Sequence, residues 1–222
     1  MPKFILASRS PQRKTILEDL GIEFTVIPSS FDESSIHEQD PPKRALILAE
    51  KKAIEVARKH PDQWIIGVDT LVVSEDGQLL EKPIDEEDAR RMLKLHSGNT
   101  STVHSAICLC RVILRRASAS AKATADTQDD TSNIEKHTDL STARVTFKDL
   151  ESPVDWLAMS ERQKRSELTR IEWWIETELW KDRSGSFQID DEGGKLIENL
   201  EGEFETVVGF PVACFQQMSL EE

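Results

Sequence analysis

One carboxylate stands in an apolar setting. Asp69 interrupts the run Trp64 to Val73, in which Ile65, Gly67, Asp69, Leu71 and Val73 share one face of a strand. A buried carboxylate is costly unless it is paired or bound to a metal. Carboxylates on strands of α/β sheets often reach a ligand crevice; a core Asp bonded to backbone or to Thr70 is the plainer alternative. A second acid, Glu33, lies in the loop segment FDESS, and spacing alone does not separate it from Asp32. Two carboxylates suit a hard divalent cation such as Mg²⁺, which completes its shell with phosphate oxygens and water. Unpaired, Glu33 is only a solvated acid in an acidic loop.

The cations fit the same chemistry. Lys52 lies in LAEKKA and Lys82 in EKP, where Pro83 holds the backbone extended. Exposed lysines are ordinarily solvated charges. Together with two carboxylates, however, two or three cations suit a metal-bound polyphosphate, whose oxygens they neutralise. The segment SRSPQR, Ser8 to Arg13, sits at a strand-to-helix turn, where free N–H groups attract anions and Ser8, Ser10 and Arg13 add donors. Simple capping of a surface helix also accounts for it. There is no Walker loop, no G-x-G-x-x-G and no H-E-x-x-H. The five histidines, at 37, 60, 96, 104 and 137, show no metal-ligand spacing.

The elements that must position these groups are readable in part. Phe4 to Ala7 reads as a short buried strand. Ser10 caps a helix with Pro11 in its first turn and Gly21 as its stop. Phe24 to Ile27 is a second strand, and Ser29 to Asp40 an acidic loop. A helix runs from Asp40 to about His60. Trp64 to Val73 and Leu79-Leu80 form a hairpin around Asp76-Gly77. Asp85 opens a third helix, closed by Gly98, with acids at its positive end. Thr102 to Arg111 is a strand, residues 115–140 read as a flexible insertion, and Thr142 to Phe147 resumes strand character. Ser160 and Gln163 suggest a capping box opening a helix to about Trp180, and Gly202 to Pro211 reads as strand and turn. The adjacent Trp173 and Trp174 read as ordinary core and rim residues. The alternation gives an α/β class in a single domain over 1–222.

The totals exclude other classes. The chain has 222 residues, with 28 Lys and Arg against 41 Asp and Glu, a net charge of −13. Such a balance excludes a duplex nucleic-acid grip, and no run approaches the roughly 20 apolar residues of a membrane span. The three cysteines, Cys108, Cys110 and Cys214, give no disulfide framework, and a cytoplasmic location is the default.

The run ILASRSPQRKTILEDLGIEF resembles the opening of the Maf family of nucleoside triphosphate pyrophosphatases. The resemblance continues in order through Asp32-Glu33, Leu48 to Ala53, Ile66 to Thr70, Glu81-Lys82-Pro83, Ser97-Gly98, Gly185-Ser186-Phe187, Gly202 and Val208 to Pro211. It implies an α/β fold, related to the ITPase architecture, with an elongated mixed β-sheet in two lobes, flanking helices and a central cleft. It also implies hydrolysis of a nucleoside triphosphate to monophosphate and pyrophosphate with Mg²⁺ or Mn²⁺, and a homodimer as the family expectation. Carried over by position, Ser8, Arg13, Lys52 and Lys82 hold phosphate, with Ser10 beside them. Glu33 and Asp69 bind metal and position or deprotonate water.

Asp69-Thr70 matches the branch acting on dTTP and UTP, which points to those or modified pyrimidine nucleotides. Gly185-Ser186-Phe187 looks closer to the branch acting on 7-methyl-GTP. Three departures stand out: Ser101 lies where a His is frequent, Asp190 replaces a Gln, and Arg183 replaces a Lys. An alternative of another class is a septum-formation regulator acting by protein binding.

Overall fold

The computed structural model describes residues 4–113, 134–155 and 168–220. The chain divides into two compact units, Met1–Asp69 with Ala106–Leu140 and Ala213–Glu222, and Thr70–Ser105 with Ser141–Val212. The strands are β1 Phe4–Leu6, β2 Phe24–Val26, β3 Trp64–Val73, β4 Leu79–Leu80, β5 Thr100–Val112, β6 Ile134–Phe147 and β7 Ile197–Glu201. They form one mixed sheet in the order β2-β1-β3-β5-β6-β7, with β4 paired to β3. The helices are α1 Pro11–Asp19, α2 Pro41–Ala57, α3 Glu86–His96, α4 Arg170–Glu176, α5 Phe204–Val208 and α6 Val212–Leu220. Among the described residues no helix is long and apolar enough to cross a membrane.

In the first unit β1 lies parallel to both neighbours, with Phe4 opposite Phe24 and Trp64. Its three residues are all buried, as expected of a short parallel strand covered on both faces. Helix α1 starts where the sequence places it, with Pro11 in the first turn and the Ser10 hydroxyl accepting the Arg13 backbone N–H. Helix α2 buries Ala45, Leu48, Ala49, Ala53, Val56 and Ala57. That face is mostly alanine, so the helix comes close to the sheet. It meets β3 at Gly67, where a Cβ would stand 2.3 Å from the Ala49 carbonyl oxygen and 2.7 Å from Ala53 Cβ. A glycine inside a strand marks this kind of approach. The three cysteines are buried, with no disulfide among the described residues.

The second unit packs Val72, Leu80, Leu93, Phe147, Trp174 and Phe187 into one core. The β3–β4 hairpin turns at Gly77, whose φ of 86° is the left-handed value glycine tolerates. Asp85 caps α3, accepting the Asp88 N–H at 2.8 Å. Buried Trp174 donates its indole N–H to the Ser186 carbonyl at 2.7 Å. Trp173 is partly buried at the edge of the core, with the Lys195 ammonium 5.4 Å from its ring centre.

Four boundaries differ from the sequence reading. Strand β6 begins at Ile134, so residues 134–140 of the expected insertion are strand; residues 114–133 lie outside the described residues. The helix expected from Ser160 to Trp180 is described only as Arg170–Glu176, capped by Thr169, and the Ser160–Gln163 pair lies outside the described residues. Gly202 to Pro211 holds helix α5, not a strand, and the left-handed Gly209 ends it by donating to the Glu205 carbonyl. Strand β7 was not expected. Its half-buried residues, Ile197 and Leu200, are spaced by three instead of two, which hides the strand period.

Candidate active site

The first unit assembles five of the expected side chains. Strand β3 presents Asp69, 7% exposed at its side chain, and α2 presents Lys52, 14% exposed. The Lys52 Nζ donates to Asp69 Oδ1 at 2.6 Å and lies 2.8 Å from Glu33 Oε1. A single ammonium therefore bridges the two carboxylates. The close α2–β3 approach at Gly67 makes this reach possible, because Lys52 lies between Ala49 and Ala53 on the helix.

The structure separates the two loop acids. Asp32 caps a short turn over Glu33–Ser35, accepting from the Ser34 backbone N–H at 3.1 Å and from its hydroxyl at 2.7 Å. Its carboxylate is used locally, while that of Glu33 reaches Lys52.

The strand-to-helix turn supplies the remaining two. The Arg13 Nη1 donates to Ser8 Oγ at 3.0 Å and to the Val68 carbonyl at 3.1 Å. Arg13 is thus fixed to the residue preceding Asp69. Ser8 also accepts the Ser10 N–H at 3.2 Å. Ser10 has a structural duty as helix cap, and its hydroxyl also donates to Gln12.

Burial is the dominant electrostatic influence here. It pushes the Asp69 carboxyl above its ordinary value, against the opposing pull of Lys52 and then Arg13. Burial likewise lowers the Arg13 pKa, while the charges of Asp69 and Glu33 raise it.

Asp69 Oδ2 is buried and has no hydrogen-bond partner. An orphaned carboxylate oxygen in a polar setting is expensive and fits a ligand position for a hard cation. Glu33, 54% exposed at its side chain, supplies a second carboxylate nearby. This donor set fits a Mg²⁺- or Mn²⁺-type ion that takes most of its shell from substrate and water. Among the described residues no group of three or more His, Cys, Asp or Glu could hold a metal by itself.

The other expected residues belong to the second unit. Thr70 follows Asp69, and its hydroxyl is already engaged with Ser105 Oγ at 2.8 Å and the Gly209 carbonyl at 3.4 Å. Lys82 is exposed, with no ion pair among the described residues. Arg183 is half-buried, and its Nε has no hydrogen-bond partner. Asp190 precedes the turn Asp191–Leu196 without capping it by its side chain, and its carbonyl accepts the Gly193 N–H at 3.0 Å. Ser101 is fully buried, its hydroxyl 2.7 Å from His96 Nδ1. Its hydroxyl thus has a core partner.

Three contributors were not legible as such. Gly67 stands in the sequence only as one residue of a strand face, although its pairing with Ala49 and Ala53 is the signal for a close crossing. Val68 contributes only a backbone carbonyl. Glu55, which no motif singles out, takes hydrogen bonds from Ser29 and Ser30 in the loop leading to Glu33.

The chain is 34% identical to a dTTP/UTP pyrophosphatase of Pyrococcus furiosus, covering 96% of this chain and 91% of that protein. It is 35% identical to one of Treponema denticola, covering 96% and 93%. A solved dITP/XTP pyrophosphatase from Mycobacterium abscessus aligns at a TM-score of 0.39 and 14% identity, over 70% of this chain and 79% of that one, a likeness too loose to carry an argument. The model of the family described as Maf-like protein matches residues 3–221, nearly the whole chain, and the chain belongs to that family.

Proposed function

We propose that this protein hydrolyses nucleoside triphosphates to the monophosphate and pyrophosphate, with dTTP and UTP as its substrates. The observation that carries the reading is the pair of bridged carboxylates with one orphaned oxygen, in a chain that spans 91–93% of relatives named for that activity. One water is consumed, the anhydride bond between the α- and β-phosphorus breaks, and the proton released passes to a carboxylate or to solvent.

Asp69 and Glu33 are the residues that hold a divalent cation. When bound, such an ion withdraws charge from phosphate oxygens and lowers the pKa of a coordinated water. The protein's own groups supply the rest. Arg13, held in place by Ser8 and the Val68 carbonyl, offers its guanidinium to phosphate oxygens. Ser8 and Ser10 contribute hydroxyls beside it. Lys52 opposes the effect of burial on Asp69 and offers a proton-bearing nitrogen to the phosphate. Lys82 and Arg183 add cations, and the unpartnered Arg183 Nε is a donor suited to an anion. Thr70, with its hydroxyl engaged, steadies the strand after Asp69. Asp190, which stands where the family resemblance carries a Gln, brings a negative charge that disfavours phosphate close by.

The 7-methyl-GTP alternative rests on Gly185-Ser186-Phe187. All three residues are buried; the Gly185 carbonyl bonds to His96 and Phe187 packs edge-on against the ring of Phe147. Packing explains that tripeptide without reference to a base. Pyrimidine nucleotides are therefore the favoured substrates.

The test is pyrophosphate release with Mg²⁺ from dTTP, UTP and 7-methyl-GTP. Asp69→Asn and Glu33→Gln each lower turnover by at least about a hundredfold. Near-normal turnover in either removes that residue from its role. Folded wild-type protein that is silent across the panel overturns the enzymatic reading and leaves the septum-formation reading in its place.

A further inference from the structure

Glu33 is the more exposed of the two acids, and its side chain meets Lys52. Something must fix the backbone that carries it. Four residues before it, Ser29 Oγ donates to Glu55 Oε2 at 2.9 Å, and the Ser30 N–H donates to the same oxygen at 3.1 Å. Ser30 Oγ donates to Glu55 Oε1 at 3.0 Å. The Phe31 N–H donates back to Ser29 Oγ at 3.1 Å, tightening the turn. One carboxylate thus accepts three bonds from two consecutive loop residues, with Lys59 as its counter-charge one turn further along the helix.

Glu55 lies three positions beyond Lys52 on α2, so the two side chains project from neighbouring points of one helix face. The same helix therefore holds the Glu33 carboxylate through Lys52 and the backbone before it through Glu55. Bonds to an ionised acceptor are the stronger kind, which suits a clamp on an otherwise exposed loop.

We propose that Glu55 is a positioning residue. It ties Ser29 and Ser30 to α2 and so sets where the Glu33 carboxylate stands relative to Lys52 and Asp69. The inference rests on the reading that Glu33 and Asp69 hold the metal. Outer partners of metal-binding groups are typically worth ten- to a hundredfold in metal affinity, and that is the effect assigned to Glu55.

The experiment compares Glu55→Ala with the double variant Ser29→Ala/Ser30→Ala, which removes the two hydroxyl bonds of the clamp and leaves the Ser30 N–H bond and α2 intact. Mn²⁺ binding is measured by calorimetry, and the Mg²⁺ concentration giving half-maximal pyrophosphate release from dTTP is measured in parallel, at a temperature where melting curves show both variants folded. The expected result is a rise of about tenfold in both metal constants for each variant, with a smaller change in turnover at saturating metal. Glu55→Ala added to Glu33→Gln brings no further rise in the Mn²⁺ constant, because the clamp acts through Glu33. A lowered melting temperature with unchanged metal constants overturns the inference and leaves Glu55 a purely structural residue. So does an equal further rise in the Glu33→Gln background. If Glu33→Gln itself leaves Mn²⁺ binding unchanged, the metal reading fails and takes this inference with it.

Discussion

Substituting Gly67 by alanine tests whether the α2–β3 approach sets the site. The added Cβ would stand 2.3 Å from the Ala49 carbonyl oxygen, 2.7 Å from Ala53 Cβ and 2.8 Å from Ala53 N. Two of those three atoms are helix backbone, so no rotamer change relieves them. Ordinary contact begins at 3.4 Å, so the helix must retreat by 3.4 − 2.3 = 1.1 Å at Ala49. Lys52 moves with it. Without compensation its 2.6 Å bond to Asp69 lengthens to 2.6 + 1.1 = 3.7 Å, beyond hydrogen-bond reach. The long lysine chain recovers part of that distance. Overpacking of this kind costs about 1–3 kcal/mol of stability, and a misplacement of about 1 Å costs up to about a hundredfold in rate. A fall of about ten- to a hundredfold in kcat/KM for dTTP is therefore expected, at a temperature where urea titration shows the variant folded. Adding Ala53→Gly removes one of the three contacts and restores activity only in part, since the Ala49 carbonyl remains. Wild-type kcat/KM and stability in Gly67→Ala would refute the reasoning, and full rescue by Ala53→Gly would show that a side chain, not helix backbone, sets the approach.

Two further outcomes follow from the buried ionisable groups. Lys52→Met leaves Asp69 buried without its partner and costs about 3 kcal/mol in urea unfolding; adding Asp69→Asn returns part of that loss, and strict additivity in the cycle would show that the pair is not coupled. Burial lowers the His96 pKa from 6.5 to about 4, so between those pH values the unfolded chain binds more protons than the folded one and stability falls as the solution is acidified. The loss amounts to about 3 kcal/mol, is complete only below pH 4, and disappears from the unfolding profile of His96→Gln; equal acid slopes for the two proteins would contradict it.

What was legible in the sequence depended on how local the cause was. Ser10-Pro11, Asp85 and Asp76-Gly77 specify their helix starts and hairpin through chemistry within a few residues, and each element lies where that chemistry puts it. Val207-Val208 reads as strand by type, yet the left-handed Gly209 closes a helical turn there. Asp69 was legible because a carboxylate in an apolar strand is conspicuous against its neighbours. Asp32 and Glu33 were not separable, since the difference lies in where each side chain goes: one is consumed by Ser34, the other reaches a helix that begins eight residues after it. His96 illustrates the same limit. Nothing in its spacing shows that it is buried between Ser101 and the Gly185 carbonyl. That carbonyl can only accept, so Nε2 carries the proton and Nδ1 accepts from the Ser101 hydroxyl.

Lys52 also opposes the protonation that burial favours at Asp69, in a chain of net charge −13. Burial alone favours the protonated form of Asp69, and a protonated carboxyl is a poor ligand for a hard cation. The ammonium at 2.6 Å opposes that tendency through one oxygen only, leaving Oδ2 without a partner. Two of the Arg13 hydrogen bonds go to neutral oxygens, those of Ser8 and Val68, so they fix the guanidinium without cancelling its charge. In the first unit the two carboxylates are thus matched by two cations before any substrate arrives. Removing one carboxylate has two effects in this arrangement: it deletes a ligand, and it leaves Lys52 free to pair more tightly with the other. The remaining carboxylate is then less available to metal, which is why each single loss is expected to be severe, and why the two losses together should cost less than the product of their separate effects.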